Sequence, residues 1–195
     1  MVYDCLIIGG GVSGLYCALN LDPGLSVLII SKSELGLSNS SLAQGGIAAV
    51  LSRESDDFSS HIEDTLRAGG EKNDLQSVEM IVGEAHGNVS ELLHFGVEFD
   101  RIATGEFDKT LEGGHSRPRI LHHKDSTGRE IVDKLMRQVR KRKNIAVAEN
   151  TYLTRMIRAD GGFAAELLCK DARQEVFSPR CVIATGGIGR IYEYT

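Results

Sequence analysis

Apolar residues fall along this chain in two rhythms: short unbroken runs, and longer stretches in which they recur every three or four positions. Leu6, Ile7 and Ile8 form one short run, and Ser26 to Ile30 (SVLII) forms another. Runs of this length read as strands buried on both faces. Between them Leu15, Ala18, Leu19 and Leu21 recur at helical spacing, which predicts β-α-β at the start of the chain. A Ser/Gly/Asn-rich stretch, 31–46, then interrupts regular structure, and Ile47 to Val50 reads as the beginning of a short helix. Ser59-Ser60 opens a helix through Arg67 that Gly69-Gly70 stops. Helical periodicity returns in two segments from Leu75 to Phe95 and ends at Gly96, after which Val97 to Arg101 looks like a strand.

Thr127-x-x-Glu130 matches a capping box that opens a helix through Lys141. Ile145 to Glu149 supplies another parallel strand. From Thr151 to Phe177 the pattern changes to strands with turns at Asp160-Gly161-Gly162 and near Asp171, an antiparallel meander. Arg180 to Thr185 returns to a buried strand, closed by Gly186-Gly187. This order predicts an α/β fold, a doubly wound parallel (Rossmann-like) sheet with an inserted antiparallel β-meander, in one domain over 1–195.

Composition narrows the class without choosing a function. With 195 residues, 42% hydrophobic and 25% charged, the chain has the make-up of an ordinary water-soluble globular protein with a real core. A net charge of -5 gives no general attraction to nucleic acid or anionic membrane. The basic run Arg137 to Lys143 (RQVRKRK) reads as the solvated C-terminal end of a helix, where cations complement the macrodipole. No apolar stretch approaches membrane-spanning length, and Asp4 with no basic segment before the first apolar run argues against a signal peptide. Cys5, Cys17, Cys169 and Cys181 lack C-x-x-C spacing and sit among apolar residues, so they read as reduced, buried thiols of a cytoplasmic protein.

The candidate chemistry begins where the first strand ends. Gly9-Gly10-Gly11-Val12-Ser13-Gly14 fits G-x-G-x-x-G between a strand and a helix. Gly9 would permit the tight turn, Gly11 the approach of a pyrophosphate, and Gly14 the packing of helix on strand. The helix N-terminus offers N–H groups and positive dipole to the phosphates. An acidic ribose-binding residue is expected near the end of the second strand, but Ser31 and Lys32 stand there. The Ser31 hydroxyl can still bond a ribose and Lys32 can meet a phosphate, which on this feature alone leaves NADP open. Asn39-Ser40-Ser41-Leu42-Ala43-Gln44-Gly45-Gly46 then packs small and polar residues into a second cradle. Such a cradle suits a flavin ring, which must be held rigidly near substrate, better than a nicotinamide. Ala184-Thr185-Gly186-Gly187 is a third close-approach turn, at the strand end where such sheets bind ligands. His115, His122, His123 and Asp125 are spaced H-x6-H-H-x-D, which matches no standard zinc pattern, and no metal is expected.

Five ordered motifs, DCLIIGGGVSGL, SSLAQGGIAAV, HIEDTLRAGG, LEGGHSRPRILHHKDSTGREI and VIATGGIGRIYEYT, run through the chain. In these it resembles the FAD-dependent family of L-aspartate oxidase and the succinate dehydrogenase/fumarate reductase flavoprotein subunits. The resemblance implies FAD held by the three glycine-rich segments. In the dehydrogenase and reductase subunits a histidine five residues before the Gln of A-Q-G-G bonds covalently to the flavin; Asn39 stands in that place, which implies non-covalent FAD. Those subunits typically carry an aromatic residue before the later Gly-Gly, whereas here Glu112 precedes Gly113-Gly114-His115, as in L-aspartate oxidase. Glu112 would then receive the ammonium group of an amino-acid substrate through a charge-assisted hydrogen bond. Arg117 and Arg119 are either positive charge for the same pocket or surface arginines.

The implied reaction is oxidation of L-aspartate to iminoaspartate, with reoxidation by oxygen or fumarate and hand-over to quinolinate synthase in de novo NAD synthesis. Family members continue beyond the third flavin turn into a capping domain and a C-terminal helical region. This chain is therefore expected to be the FAD-binding portion, with the capping domain absent. A soluble fumarate reductase-like flavoprotein and a non-catalytic FAD-binding module are the two alternatives.

Overall fold

The computed structural model describes residues 1–52, 56–188 and 192–194. Gly189, Arg190, Ile191 and Thr195 of the last motif lie outside the described residues. The elements run β1 (Cys5–Ile8), α1 (Val12–Asn20), β2 (Val27–Ile30), β3 (Ile47–Ala48), α2 (Phe58–Ala68), α3 (Leu75–His94), β4 (Lys109–Thr110) and β5 (Ile120–Leu121). They continue with α4 (Thr127–Lys141), β6 (Ile145–Ala148), β7 (Thr151–Ala159), β8 (Gly162–Cys169), β9 (Ala172–Ser178) and β10 (Cys181–Ile183). Two compact units emerge, Met1–Leu42 with Ile131–Thr195, and Ala43–Glu130.

The first unit is built on a parallel sheet in the order β10-β1-β2-β6. The short apolar runs form it because each strand must bury both faces. Leu6, Ile8, Leu28 and Ile30 point to one side and pack with Ala165, Leu167 and Val176 of the meander β7-β8-β9. Ile7 points to the other side, where α1 lies close enough for a Cβ on Gly14 to touch the Ile7 side chain. The strand order reverses direction between β1 and β10, the switch point beside which such sheets bind ligands. The meander follows the expected turns, with a register shift between Leu153 and Arg155 in β7.

The second unit holds α2, α3 and a small antiparallel sheet, β3-β5-β4. Asp57 caps α2 by accepting from the Ser60 N–H at 2.8 Å, and Asp74 caps α3 from Ser77 in the same way.

Several local expectations are corrected. Ile47–Ala48 is a strand rather than the start of a helix, because β5 offers it a backbone ladder that a four-residue helix could not match. Leu75–His94 is one helix; Gly83 and Gly87 inside it weaken the local propensity, but Val78, Val82, Val89 and Leu92 bury one continuous stripe. No strand forms at Val97 to Arg101, where Arg101 makes only an isolated bridge to Phe107. The capping box does not close: the Thr127 hydroxyl accepts from the His123 N–H at 3.0 Å, and the Glu130 carboxylate accepts from the Glu98 N–H at 2.9 Å. Of the four thiols only Cys5 is fully buried, the other three being partly exposed.

Candidate functional site

In the first unit the glycine loop, the segment around Ser40 and the end of β10 come together. Gly9 has φ +120, a conformation that side chains oppose, and a Cβ there would strike the Ala184 carbonyl. A Cβ on Gly14 would strike the Gly9 carbonyl, so this glycine is what lets α1 lie against the strand end. The Ala184 N–H donates to the Ile8 carbonyl at 2.8 Å, which seats the Ala184–Gly187 turn beside the loop.

At Gly11, by contrast, only the Ser40 hydroxyl lies near, and that hydroxyl accepts from the Val12 N–H at 3.2 Å. Asn39 and Leu42 are exposed, while Ser41 is buried and bonds back to Ser38. Ser31 is buried beside Gly10, its carbonyl accepting from the Thr151 N–H at 2.8 Å, and Lys32 is exposed. A Cβ on Gly186 or Gly187 would meet nothing within 4 Å, so bare backbone faces open space there. A helix N-terminus, a tight glycine turn and open backbone at a switch point fit the pyrophosphate and flat ring of a flavin dinucleotide.

Ala43, Gln44, Gly45 and Gly46 belong to the second unit. Gly46 serves the protein itself, since a Cβ there would strike the Leu121 carbonyl of β5; Gly45 is open, and Ala43 and Gln44 are exposed. The Ala43 carbonyl accepts from the Gly128 N–H at 3.0 Å, at the start of α4.

Glu112 lies in the loop between β4 and β5, exposed, with no side-chain partner among the described residues. Its carbonyl accepts from the His115 N–H at 3.2 Å, closing a turn in which Gly114 has φ +85. Arg117 is exposed, but Arg119 is neither a surface residue nor free charge for a ligand, being only 1% exposed. Its Nε and Nη2 donate to the two Asp56 carboxylate oxygens, both at 2.7 Å, and Nη1 donates to Asp64 Oδ2 at 2.6 Å. Nη2 also reaches the Ser60 hydroxyl at 3.2 Å.

Asp64 Oδ2 takes two further bonds, from the Ser116 N–H at 2.7 Å and the Ser116 hydroxyl at 2.8 Å. Burial pushes the Asp64 pKa up, but the bonds from Ser116 and Arg119 outweigh it and hold the carboxyl well below its ordinary range. His115 Nδ1 lies 3.2 Å from Arg119 Nη1; a guanidinium only donates, so Nδ1 accepts and the imidazole proton sits on Nε2. Burial, with Arg119 and His115 alongside, lowers the His61 pKa, and its Nδ1 has no partner among the described residues. Asp64, Arg67, Ala68, Gly114, His115 and Ser116 line a shallow pocket of about 280 Å³.

Sequence reasoning missed Asp56, Ser60, Asp64 and Ser116. A signal was present on α2, whose buried face carries His61 and Asp64 where apolar residues belong, so a buried cation had to be supplied from elsewhere. His122 lies 3.3 Å from Asp100 and 3.8 Å from Asp108, and His123 Nδ1 meets the Glu98 carbonyl at 2.7 Å. Among the described residues no group of three or more His, Cys, Asp or Glu could hold a metal ion. No helix among them is long and apolar enough to cross a membrane.

Residues 4–195 match the FAD binding domain family model. The chain belongs to that family. FAD is thus its cofactor. The chain is 39% identical over 193 residues to L-aspartate oxidase of Clostridium perfringens, covering 98% of this chain and 43% of that protein. It is also 39% identical to L-aspartate oxidase of Yersinia pestis, covering 100% of this chain and 39% of that protein. The chain therefore spans about two fifths of the length of these relatives.

Among solved structures, the Sdh1 complex of Mycobacterium smegmatis aligns at TM-score 0.91 and 31% identity, over 98% of this chain and 35% of that one. Quinol fumarate reductase of E. coli aligns at TM-score 0.92 and 24% identity, over 100% of this chain and 34% of that one, and shares the fold.

Proposed function

We propose that this chain provides the non-covalent FAD site and the ammonium-binding carboxylate of an L-aspartate oxidase. Glu112 carries the reading. Asp56 and Asp64 are occupied by Arg119, whereas Glu112 is exposed and unpaired among the described residues, free to accept from a substrate ammonium group. The 39% identity to L-aspartate oxidases over nearly the whole chain supports the same substrate.

FAD, when bound, supplies the hydride acceptor for oxidation of L-aspartate to iminoaspartate, and oxygen or fumarate removes the electrons afterwards. Gly9 to Gly14, Ser40 and the Ala184–Gly187 turn hold the dinucleotide, with Ser31, Lys32 and the 39–46 segment as further contacts. Asn39 has no nucleophilic nitrogen with which to bond the flavin covalently. Glu112 binds and orients the amino group so that the amino acid is preferred over plain dicarboxylates. This oxidation is the first step of de novo NAD synthesis in the cytoplasm, and its unstable product passes to quinolinate synthase.

Likeness to the Sdh1 structure at 31% identity supports a second reading, a soluble fumarate reductase-like flavoprotein. One experiment separates them: anaerobic absorption spectra of the FAD-loaded protein, expressed at the full length of its gene, before and after L-aspartate or succinate. Bleaching by L-aspartate alone is expected. Bleaching by succinate and not by L-aspartate, or by neither, overturns the first reading.

A further inference from the structure

Asp64 does more than neutralise Arg119. Its Oδ2 gathers the Ser116 N–H, the Ser116 hydroxyl and Arg119 Nη1 within 2.8 Å, and its side chain is only 4% exposed. Ser116 follows immediately on the turn closed by the His115 N–H and the Glu112 carbonyl. Within that turn Gly114 holds φ +85, a conformation that glycine adopts readily. His115 is tied to Arg119 in turn, and Arg119 is locked by both oxygens of Asp56. One hydrogen-bonded turn therefore separates an exposed carboxylate from a buried anchor on α2.

We infer that Asp64, acting through Ser116, is a positioning residue that holds the Glu112 carboxylate where a substrate ammonium group meets it. The inference rests on the role proposed for Glu112. An exposed loop carboxylate discriminates well only when its backbone is ordered before the ligand arrives, since otherwise binding must supply that ordering. Asp64 provides the order at folding. Its bonds to Ser116 are made by a buried, charged acceptor that the pocket's solvent cannot readily replace.

Ser116→Ala is the test: it removes the hydroxyl's bonds to Asp64 and to Ser60, keeps the Ser116 N–H bond to Asp64, and leaves the Asp64–Arg119 pair intact. In the FAD-loaded protein at the full length of its gene, KM for L-aspartate is expected to rise about tenfold, with kcat changed little. The dissociation constant for succinate, read from the flavin spectrum, should stay within about twofold, because succinate has no ammonium group for Glu112 to hold. Amide hydrogen exchange should quicken in the 111–116 segment, a readout independent of turnover. In a Glu112→Gln background, Ser116→Ala should add nothing to the loss for L-aspartate.

Equal weakening of both ligands, additive losses in the double variant, or unchanged exchange overturns the inference. Failure of the underlying reading looks different: Glu112→Gln alone would then leave the preference for L-aspartate over succinate as it was. Asp64→Asn should act in the same direction as Ser116→Ala and more strongly.

Discussion

Arg119→Met probes the buried cluster most directly. Methionine keeps much of the side-chain volume but removes the guanidinium that neutralises Asp56 and Asp64, whose side chains are each 4% exposed. Removing one partner of a buried ion pair costs about 3–5 kcal/mol, because the stranded charge keeps its desolvation penalty. For a chain of 195 residues, that corresponds to a fall in melting midpoint of about 6–20 °C at pH 7.

The pH dependence is a sharper signature. Burial raises both carboxyl pKa values, but Arg119 outweighs it at Asp56, and Ser116 with Arg119 outweighs it at Asp64, so both are depressed in the folded protein. Their contribution is complete above the unfolded carboxyl pKa of about 4 and is lost as pH falls toward the folded values. Without Arg119, burial is still opposed at Asp56 by the Asp57 N–H and His61, and at Asp64 by both bonds from Ser116. The folded pKa values then rise, most at Asp56, where Arg119 is the largest lowering influence, and the variant recovers stability as acid protonates that stranded carboxylate. Urea unfolding at pH 7 and pH 5, with free FAD held constant, measures both gaps. The difference between wild type and variant should shrink on acidification. A difference below about 1 kcal/mol at pH 7, the range of an exposed pair, or one that is the same at both pH values, refutes the argument.

Other consequences are equally direct. Gly14→Ala places a methyl group against the Gly9 carbonyl, so a loss of about 1–3 kcal/mol and a lower ratio of flavin to protein absorbance after gel filtration are expected. Leu135→Ala empties a fully buried position on α4; a loss of about 2–5 kcal/mol in chemical denaturation is expected, with flavin content unchanged under native conditions. Acid precipitation of the holoprotein should leave a colourless pellet and all flavin in the supernatant, because the proposed non-covalent FAD site, with Asn39 offering no nucleophilic nitrogen, makes no bond that survives unfolding. Yellow protein in the pellet would show a covalent link elsewhere.

The β-α-β start, the meander and the three glycine turns were legible in the sequence because each is written in neighbouring residues. Leu6 to Ile8 can only be a buried run, Gly9 to Gly14 can only be a turn entering a helix, and Asp160-Gly161-Gly162 ends one meander strand and begins the next. Glu112 is singled out by its motif, and the fold places it exposed in the loop between β4 and β5. Ile47–Ala48 was misjudged because its partner, β5, lies more than seventy residues away and nothing local announces it. The capping box failed for the same reason, its Glu130 being drawn to the distant Glu98 amide.

Arg119 is the clearest case. Its own neighbours, Arg117 and Pro118, suggest a polar surface loop, and the decision to bury it belongs to Asp56 and Asp64, 63 and 55 residues earlier. Hydrophobic period and turn chemistry act between adjacent residues and survive in a one-dimensional reading. A buried charge is settled by whichever distant groups the fold brings within hydrogen-bond reach, and only the folded chain chooses them.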